Sequence, residues 1–123
     1  MLTSNKVMAF VATNDADRAR PFYGEVLGLE LVEEHQWAIV FRGGGTMIRV
    51  QKTKGFVPPP HTALGWEVTD IAATMQGLRA RGVEFLAYGF PGQDASGVWT
   101  TPDGTKVAWF KDPDGNTLSL TQL

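Results

Sequence analysis

Hydrophobic and polar positions along the chain change period several times, and each change marks an element. Val7-Met8-Ala9-Phe10-Val11 is an unbroken apolar run of strand length, which predicts a buried strand over 6–13. Ala19, Phe22, Tyr23 and Val26 then recur at helical spacing. Asn14-Asp15-Ala16-Asp17 supplies capping oxygens for the free first-turn N–H groups, and Gly28 supplies a stop. Pro21 has no N–H to donate, so it is expected in or near the first turn of that helix. Three further strands are predicted over 29–34, 36–42 and 46–52, with Gly43-Gly44-Gly45 as the turn before the last.

The second half repeats this order. A strand over 62–69 leads to Asp70, a capping residue, and then to Ile71, Met75 and Leu78 on one helical face, stopped by Gly82. Strands are expected over 83–88, 97–101, 105–111 and 117–121. Pro102-Asp103-Gly104 and Asp112-Pro113-Asp114-Gly115-Asn116 are the turn signals between the last three. Asp15 and Asp70 correspond at a period of about 55 residues, as do Gly28 and Gly82 to within one position. Between the halves, residues 53–60 hold three consecutive prolines, which stiffen a connector. The chain is therefore divided into a module over about 1–53, a linker over 54–61 and a second module over about 62–123.

Composition narrows the function classes. A chain of 123 residues is long enough for one domain with a real core. The 11 basic and 13 acidic residues leave a formal charge of −2, and the basic residues are scattered. No stripe of positive charge suits nucleic acid or an anionic membrane. Cysteine is absent, which removes disulfides, thiolate metal sites and cysteine nucleophiles together. No apolar run reaches membrane-spanning length and no signal-peptide core is seen, so a cytoplasmic protein is expected.

Two stretches carry a resemblance. Phe110-Lys111-Asp112-Pro113-Asp114-Gly115-Asn116, followed by Leu118 and Leu120, resembles the closing hairpin of the glyoxalase/bleomycin resistance protein/dioxygenase group, the vicinal oxygen chelate superfamily. Arg20-Pro21-Phe22-Tyr23-Gly24-Glu25-Val26-Leu27-Gly28-Leu29 is similar to that group's first helix. The resemblance implies an α+β fold of two βαβββ modules, with curved mixed sheets around a concave cavity and helices on the convex faces. It also implies a homodimer, because relatives of this length complete their cavities by association.

Members that bind a divalent metal place up to four ligands on strands facing that cavity. By the same resemblance, the corresponding positions here are Met8, Arg49, Ala63 and Ser119. These side chains do not make a divalent site, and a guanidinium repels a cation, so neither metal nor cofactor is expected. His61 shares a strand face with Ala63 but stands alone, and His35, among Glu33, Glu34 and Gln36, reads as a solvated surface residue. Strand alternation sends Val7, Ala9, Val11, Ile48, Val50, Leu64, Trp66, Val68, Leu118 and Leu120 into packing. It turns Met8, Phe10, Met47, Arg49, Gln51, Ala63, Gly65, Glu67, Thr117, Ser119 and Thr121 toward the cavity. Trp37, Trp99 and Trp109 wall a pocket or an interface, or fill core. Residues 90–97 form a flap or an idle loop.

Two readings of Arg49 and Glu67 remain open at this level: a structural ion pair, or a ligand site in which Arg49 engages an anionic or carbonyl group. The expected function is a metal-free small-molecule-binding protein. Its ligand would be held by Met8, Phe10, Met47, Arg49, Gln51, Glu67, Trp99, Trp109 and Ser119. The alternative is a lyase, isomerase or dioxygenase-like enzyme, similar to lactoylglutathione lyase, with Glu67 as the catalytic acid-base residue. A regulatory module with a vestigial pocket is the third reading.

Overall fold

In the computed structural model, which describes residues 1–123, contacts divide the chain into two units, Met1–Pro58 and Pro59–Leu123. The first contains β1 (Met8–Thr13), α1 (Ala16–Pro21) running on into a π-helical segment (Phe22–Val26), β2 (Glu30–Glu34), β3 (Ala38–Gly43) and β4 (Thr46–Lys52). Its sheet has the order β1-β4-β3-β2. β1 pairs in parallel with β4, and the other pairs are antiparallel. Parallel pairing needs a crossover, and the helix supplies it.

Asp15 caps α1 by accepting from the N–H groups of Asp17 and Arg18. Pro21 is not in the first turn, as the spacing predicted, but at the end of α1. A proline ring disfavours the bond to the carbonyl four residues back, and from Phe22 the helix runs on as a wider turn. The Leu27 N–H reaches the Phe22 carbonyl, five residues back, at 2.9 Å. Gly28, at φ 72°, then lets the Leu29 N–H bond the Tyr23 carbonyl at 3.1 Å and ends the helix. The widened turn keeps Tyr23 buried, its ring 6.0 Å from that of Phe41. Around this contact Val11, Ala19, Ile39, Ile48 and Val50 complete the core. Val7, expected to pack with Ala9 and Val11, lies ahead of β1 and is 76% exposed. The strand begins one residue too late to carry it. Gly44 and Gly45, both at positive φ, close the β3–β4 hairpin in two residues, as a twisted hairpin requires.

The second unit contains β5 (Thr62–Glu67), α2 (Ile71–Arg79), β6 (Trp99–Thr100), β7 (Lys106–Lys111) and β8 (Thr117–Gln122), in the sheet order β5-β8-β7-β6. Again the first and last strands are parallel neighbours. Asp70 caps α2 through the Ala73 N–H, and the Ile71 N–H donates to Gln122 Oε1 at 2.8 Å. Ile71 and Met75 are buried with Ala108, Phe110, Leu118 and Leu120. The fold is thus α+β, one βαβββ pattern made twice. No helix is long and apolar enough to cross a membrane.

Two expected strands are shorter than predicted. Residues 83–88 contribute only a bridge between Phe85 and Phe110, with the Leu86 N–H on the Trp109 carbonyl. Beyond Leu86 a side chain replaces the neighbouring strand: Gln93 accepts from the Tyr88 and Gly89 N–H groups and donates to the Leu86 carbonyl. The strand expected over 97–101 shrinks to Trp99–Thr100. Just before it, Asp94 takes the Ser96 and Val98 N–H groups.

The β7–β8 turn is built on a buried carboxylate. Asp112 accepts from the Asp114 N–H at 3.0 Å, from the Asn116 N–H at 2.9 Å and from the Asn116 amide at 2.8 Å. Gly115, at φ 91°, completes the turn.

In the first unit a charge network ties helix to sheet. Arg20 grips Glu34 with two parallel bonds, at 2.7 and 2.8 Å, and Lys52 reaches the same carboxylate at 2.8 Å. Arg20, and after it Lys52, hold the Glu34 carboxyl down at about 2. That lies below the unfolded value of about 4.3, so the stabilisation is complete above the unfolded value and is lost as pH falls toward about 2. Solvent screening limits it to about 1 kcal/mol. Glu34→Gln should therefore lower stability by about 1 kcal/mol at neutral pH. Denaturant titrations of the two proteins should converge between roughly pH 4.3 and pH 2. A gap that persists undiminished at the acid end would show that the charge network is not its source.

Candidate functional site

Alternation along β4 sends Ile48 and Val50 into the helix-side core and leaves Met47, Arg49 and Gln51 on the opposite face. The parallel register sets Met8 beside Met47, Phe10 beside Arg49 and Ala12 beside Gln51. Met8 is 43% and Phe10 51% exposed, whereas Arg49 is half-buried. The result is a guanidinium set into apolar surface.

His35 is not the solvated residue expected from the sequence. The chain turns tightly between β2 and β3, with the His35 N–H on the Ala38 carbonyl and the Lys52 N–H on the Trp37 carbonyl. This turn brings His35 Nε2 to 3.4 Å from Arg49 Nη2, and the Trp37 N–H to 3.2 Å from His35 Nδ1. Glu33 Oε1 lies 3.6 Å from Nε2. Within its own unit Arg49 has no carboxylate at ion-pair distance. The usable sequence signal was the hairpin register: Glu33, Val40 and Arg49 form one row across β2, β3 and β4.

The donor chemistry does not fit a divalent metal. Met8, Arg49, Ala63 and Ser119 include no carboxylate or imidazole, and no three His, Cys, Asp or Glu side chains gather into a cluster that would hold one.

In the second unit Ser119 is buried on β8, with Trp109 opposite on β7 and Gly65 on β5. A Cβ at Gly65 would fall 2.6 Å from Ser119 Oγ, so a larger residue there would require that hydroxyl to turn away. Register places Trp99, Val107, Thr121 and Glu67 in the next row of the same face. Trp99 and Trp109 stack, with centroids 6.2 Å apart. Tyr88 and Phe90 pack edge-on to Trp109 at 5.3 and 5.9 Å, both nearly half exposed. Sequence reading placed Trp99 and Trp109 but missed Tyr88 and Phe90, which reach this cluster only through the loop. Glu67 is exposed at the end of β5 and has no ion-pair partner in its own unit. Met8, Phe10, Met47, Arg49 and Gln51 thus belong to the first unit, and Glu67, Trp99, Trp109 and Ser119 to the second.

One cavity of about 340 Å³ lies elsewhere, on the helix side of the first unit, lined by Arg20, Pro21, Gly24, Leu29, Leu31 and Phe41 among others. Its walls are mostly apolar. Its cation, Arg20, is already engaged by Glu34 and Asp17, and its other charged residue is Glu25.

Comparison with known proteins agrees with this architecture. The family model of the Glyoxalase/Bleomycin resistance protein/Dioxygenase superfamily matches residues 5–120. No curated protein matches the chain. Among solved structures, a superfamily member from Sphaerobacter thermophilus superposes with a TM-score of 0.75 at 23% identity, covering 100% of both chains. A glyoxalase/bleomycin resistance protein from Catenulispora acidiphila gives 0.72 at 23% identity, covering 98% of this chain and 99% of that one. A lactoylglutathione lyase from Agrobacterium tumefaciens gives 0.71 at 19% identity, covering 97% and 93%. At these identities the likeness is one of fold.

Gln93 is the peg that holds the aromatic cluster. Its amide accepts two backbone N–H groups, at 2.8 and 3.1 Å, and donates to two carbonyls, at 2.9 and 3.1 Å. Gln93→Ala should cost about 1–3 kcal/mol and weaken the near-ultraviolet tryptophan circular dichroism, because Tyr88 and Phe90 lose their anchor. An unchanged spectrum with unchanged stability would remove Gln93 from that role.

Proposed function

The chain belongs to the Glyoxalase/Bleomycin resistance protein/Dioxygenase superfamily, and from that premise we propose that it is a metal-free small-molecule-binding protein whose ligand lies against the sheet face carrying Arg49. The observation that carries this reading is the state of Arg49. It is half-buried among Met8, Phe10 and Met47, and its own unit offers it no carboxylate. A partly desolvated guanidinium is stabilised by an anionic or carbonyl oxygen, and a charge-assisted bond of this kind contributes roughly 1.5–3 kcal/mol. The exposed apolar side chains beside it supply contact area for the rest of a ligand. The second unit carries an aromatic group of its own around Trp99 and Trp109, on the same sheet face as Ser119 and Glu67. Burial is one way a carboxylate is tuned toward work as a general base. Glu67 is exposed, so binding is favoured over turnover.

A thermal-shift screen of anionic and aromatic metabolites identifies a ligand. Arg49→Ala should then weaken binding about tenfold or more by calorimetry while keeping the fold. Unchanged affinity for a validated ligand would remove Arg49 from the site. Binding retained but turnover abolished in Glu67→Gln would establish the enzyme alternative instead.

The working form is proposed to be a homodimer. β2 is an edge strand, and Leu31 and Val32 on it are 49% and 39% exposed, apolar surface that association would cover. Sedimentation at tens of micromolar, above ordinary dimer dissociation constants, should show two chains per particle. A monomer there would contradict it.

A further inference from the structure

Hydrogen-bond bookkeeping around His35 narrows the ligand class. The Trp37 backbone N–H can only donate, and it lies 3.2 Å from His35 Nδ1. A ring nitrogen that accepts carries no proton, and a neutral imidazole has only one such nitrogen. Nε2 in turn lies 3.4 Å from Arg49 Nη2, and a guanidinium has donors only. The ring can therefore accept from only one of these two donors, and with Nδ1 taking the shorter Trp37 contact, the Nε2 and Arg49 N–H groups stand side by side. The nearest carboxylate oxygen, Glu33 Oε1, is 3.6 Å from Nε2, beyond hydrogen-bond range, on a side chain 61% exposed to water. Such a pair is unfavourable alone and becomes favourable when one acceptor group spans both donors.

We propose that His35 and Arg49 form a two-donor clamp for the carboxylate of a monoanionic ligand, and that Glu33 is the internal carboxylate this ligand displaces. The proposal rests on the Arg49 face being the ligand site. A planar carboxylate offers one oxygen to each donor. A dianion such as phosphate meets one fixed cation together with the negative charge of Glu33, and is disfavoured. Phe10, the strand neighbour of Arg49 and 51% exposed, gives an adjoining apolar surface, so the class is an aromatic or aliphatic carboxylic acid.

Naphthoate, its neutral isostere naphthamide and inorganic phosphate serve as probes in calorimetric titrations of the full chain. Naphthoate should bind about tenfold more tightly than naphthamide or phosphate. His35→Leu should erase most of that preference, and His35→Gln, which keeps an N–H donor, should retain part of it. Glu33→Gln should tighten naphthoate severalfold and leave naphthamide unchanged, an effect that loss of structure would not produce. Nitrogen NMR should show the His35 ring protonated at Nε2 and bare at Nδ1. Absent naphthoate binding at millimolar concentration, equal affinity for naphthamide or phosphate, or indifference to Glu33→Gln would each overturn the clamp. If Arg49→Ala weakens naphthoate while the His35 and Glu33 variants do not, only the clamp fails. If Arg49→Ala leaves an observed naphthoate affinity unchanged, the Arg49 face fails with it.

Discussion

In each unit the last strand must return to lie beside the first, in parallel. β4 closes on β1 and β8 on β5, and both closing strands end up inside their sheets, flanked on either side. A parallel pair cannot be joined by a tight turn, so a helix must cross over, and its apolar face then covers one side of the sheet. Everything else follows this closure: the caps at Asp15 and Asp70, the positive-φ stops at Gly28 and Gly82, and the burial of Val50 and Leu118. It also decides where chemistry can sit. An interior strand such as β4 shows its second face between two neighbours, so Arg49 is held in a fixed surround of Phe10 and Val40.

The first unit contains two well-placed guanidiniums with opposite meanings. Arg20 is satisfied by Glu34 and Asp17, and it works as a tie between helix and sheet. Arg49 meets the His35 ring instead and has no carboxylate of its unit at ion-pair distance. Charge alone does not separate these cases, since both are arginines beside apolar strands. What separates them is whether the fold has already provided a carboxylate. The scaffold of this superfamily hosts unrelated chemistries, so the state of individual side chains carries the functional argument.

In the second unit a single side chain takes over from secondary structure. Gln93 binds four backbone groups, of Leu86, Tyr88, Gly89 and Gly97, and so holds the loop that brings Tyr88 and Phe90 against the tryptophans. Asp112 does the same at the β7–β8 turn, where a buried carboxylate satisfies the Asn116 amide and two backbone N–H groups. Both sites lie in loops, and in both one side chain holds several backbone groups.

Local chemistry determined the elements that local chemistry governs. Apolar runs, capping aspartates, stop glycines and the Asp-Pro-Asp-Gly-Asn turn were legible because each acts within a few residues, and the doubled order of elements made the βαβββ pattern readable from end to end. Alternation also assigned the two faces of β4 correctly, since side-chain direction in a strand has a period of two. Tertiary structure alone decided the rest. Pro21 sits at the end of α1, where the chain runs on into a widened turn, and in residues 83–88 the Leu86 carbonyl and the Tyr88 N–H go to the Gln93 side chain rather than to a strand. His35 meets Arg49 because a hairpin folds fourteen positions of sequence into 3.4 Å, a distance that no pattern of hydrophobic and polar residues encodes.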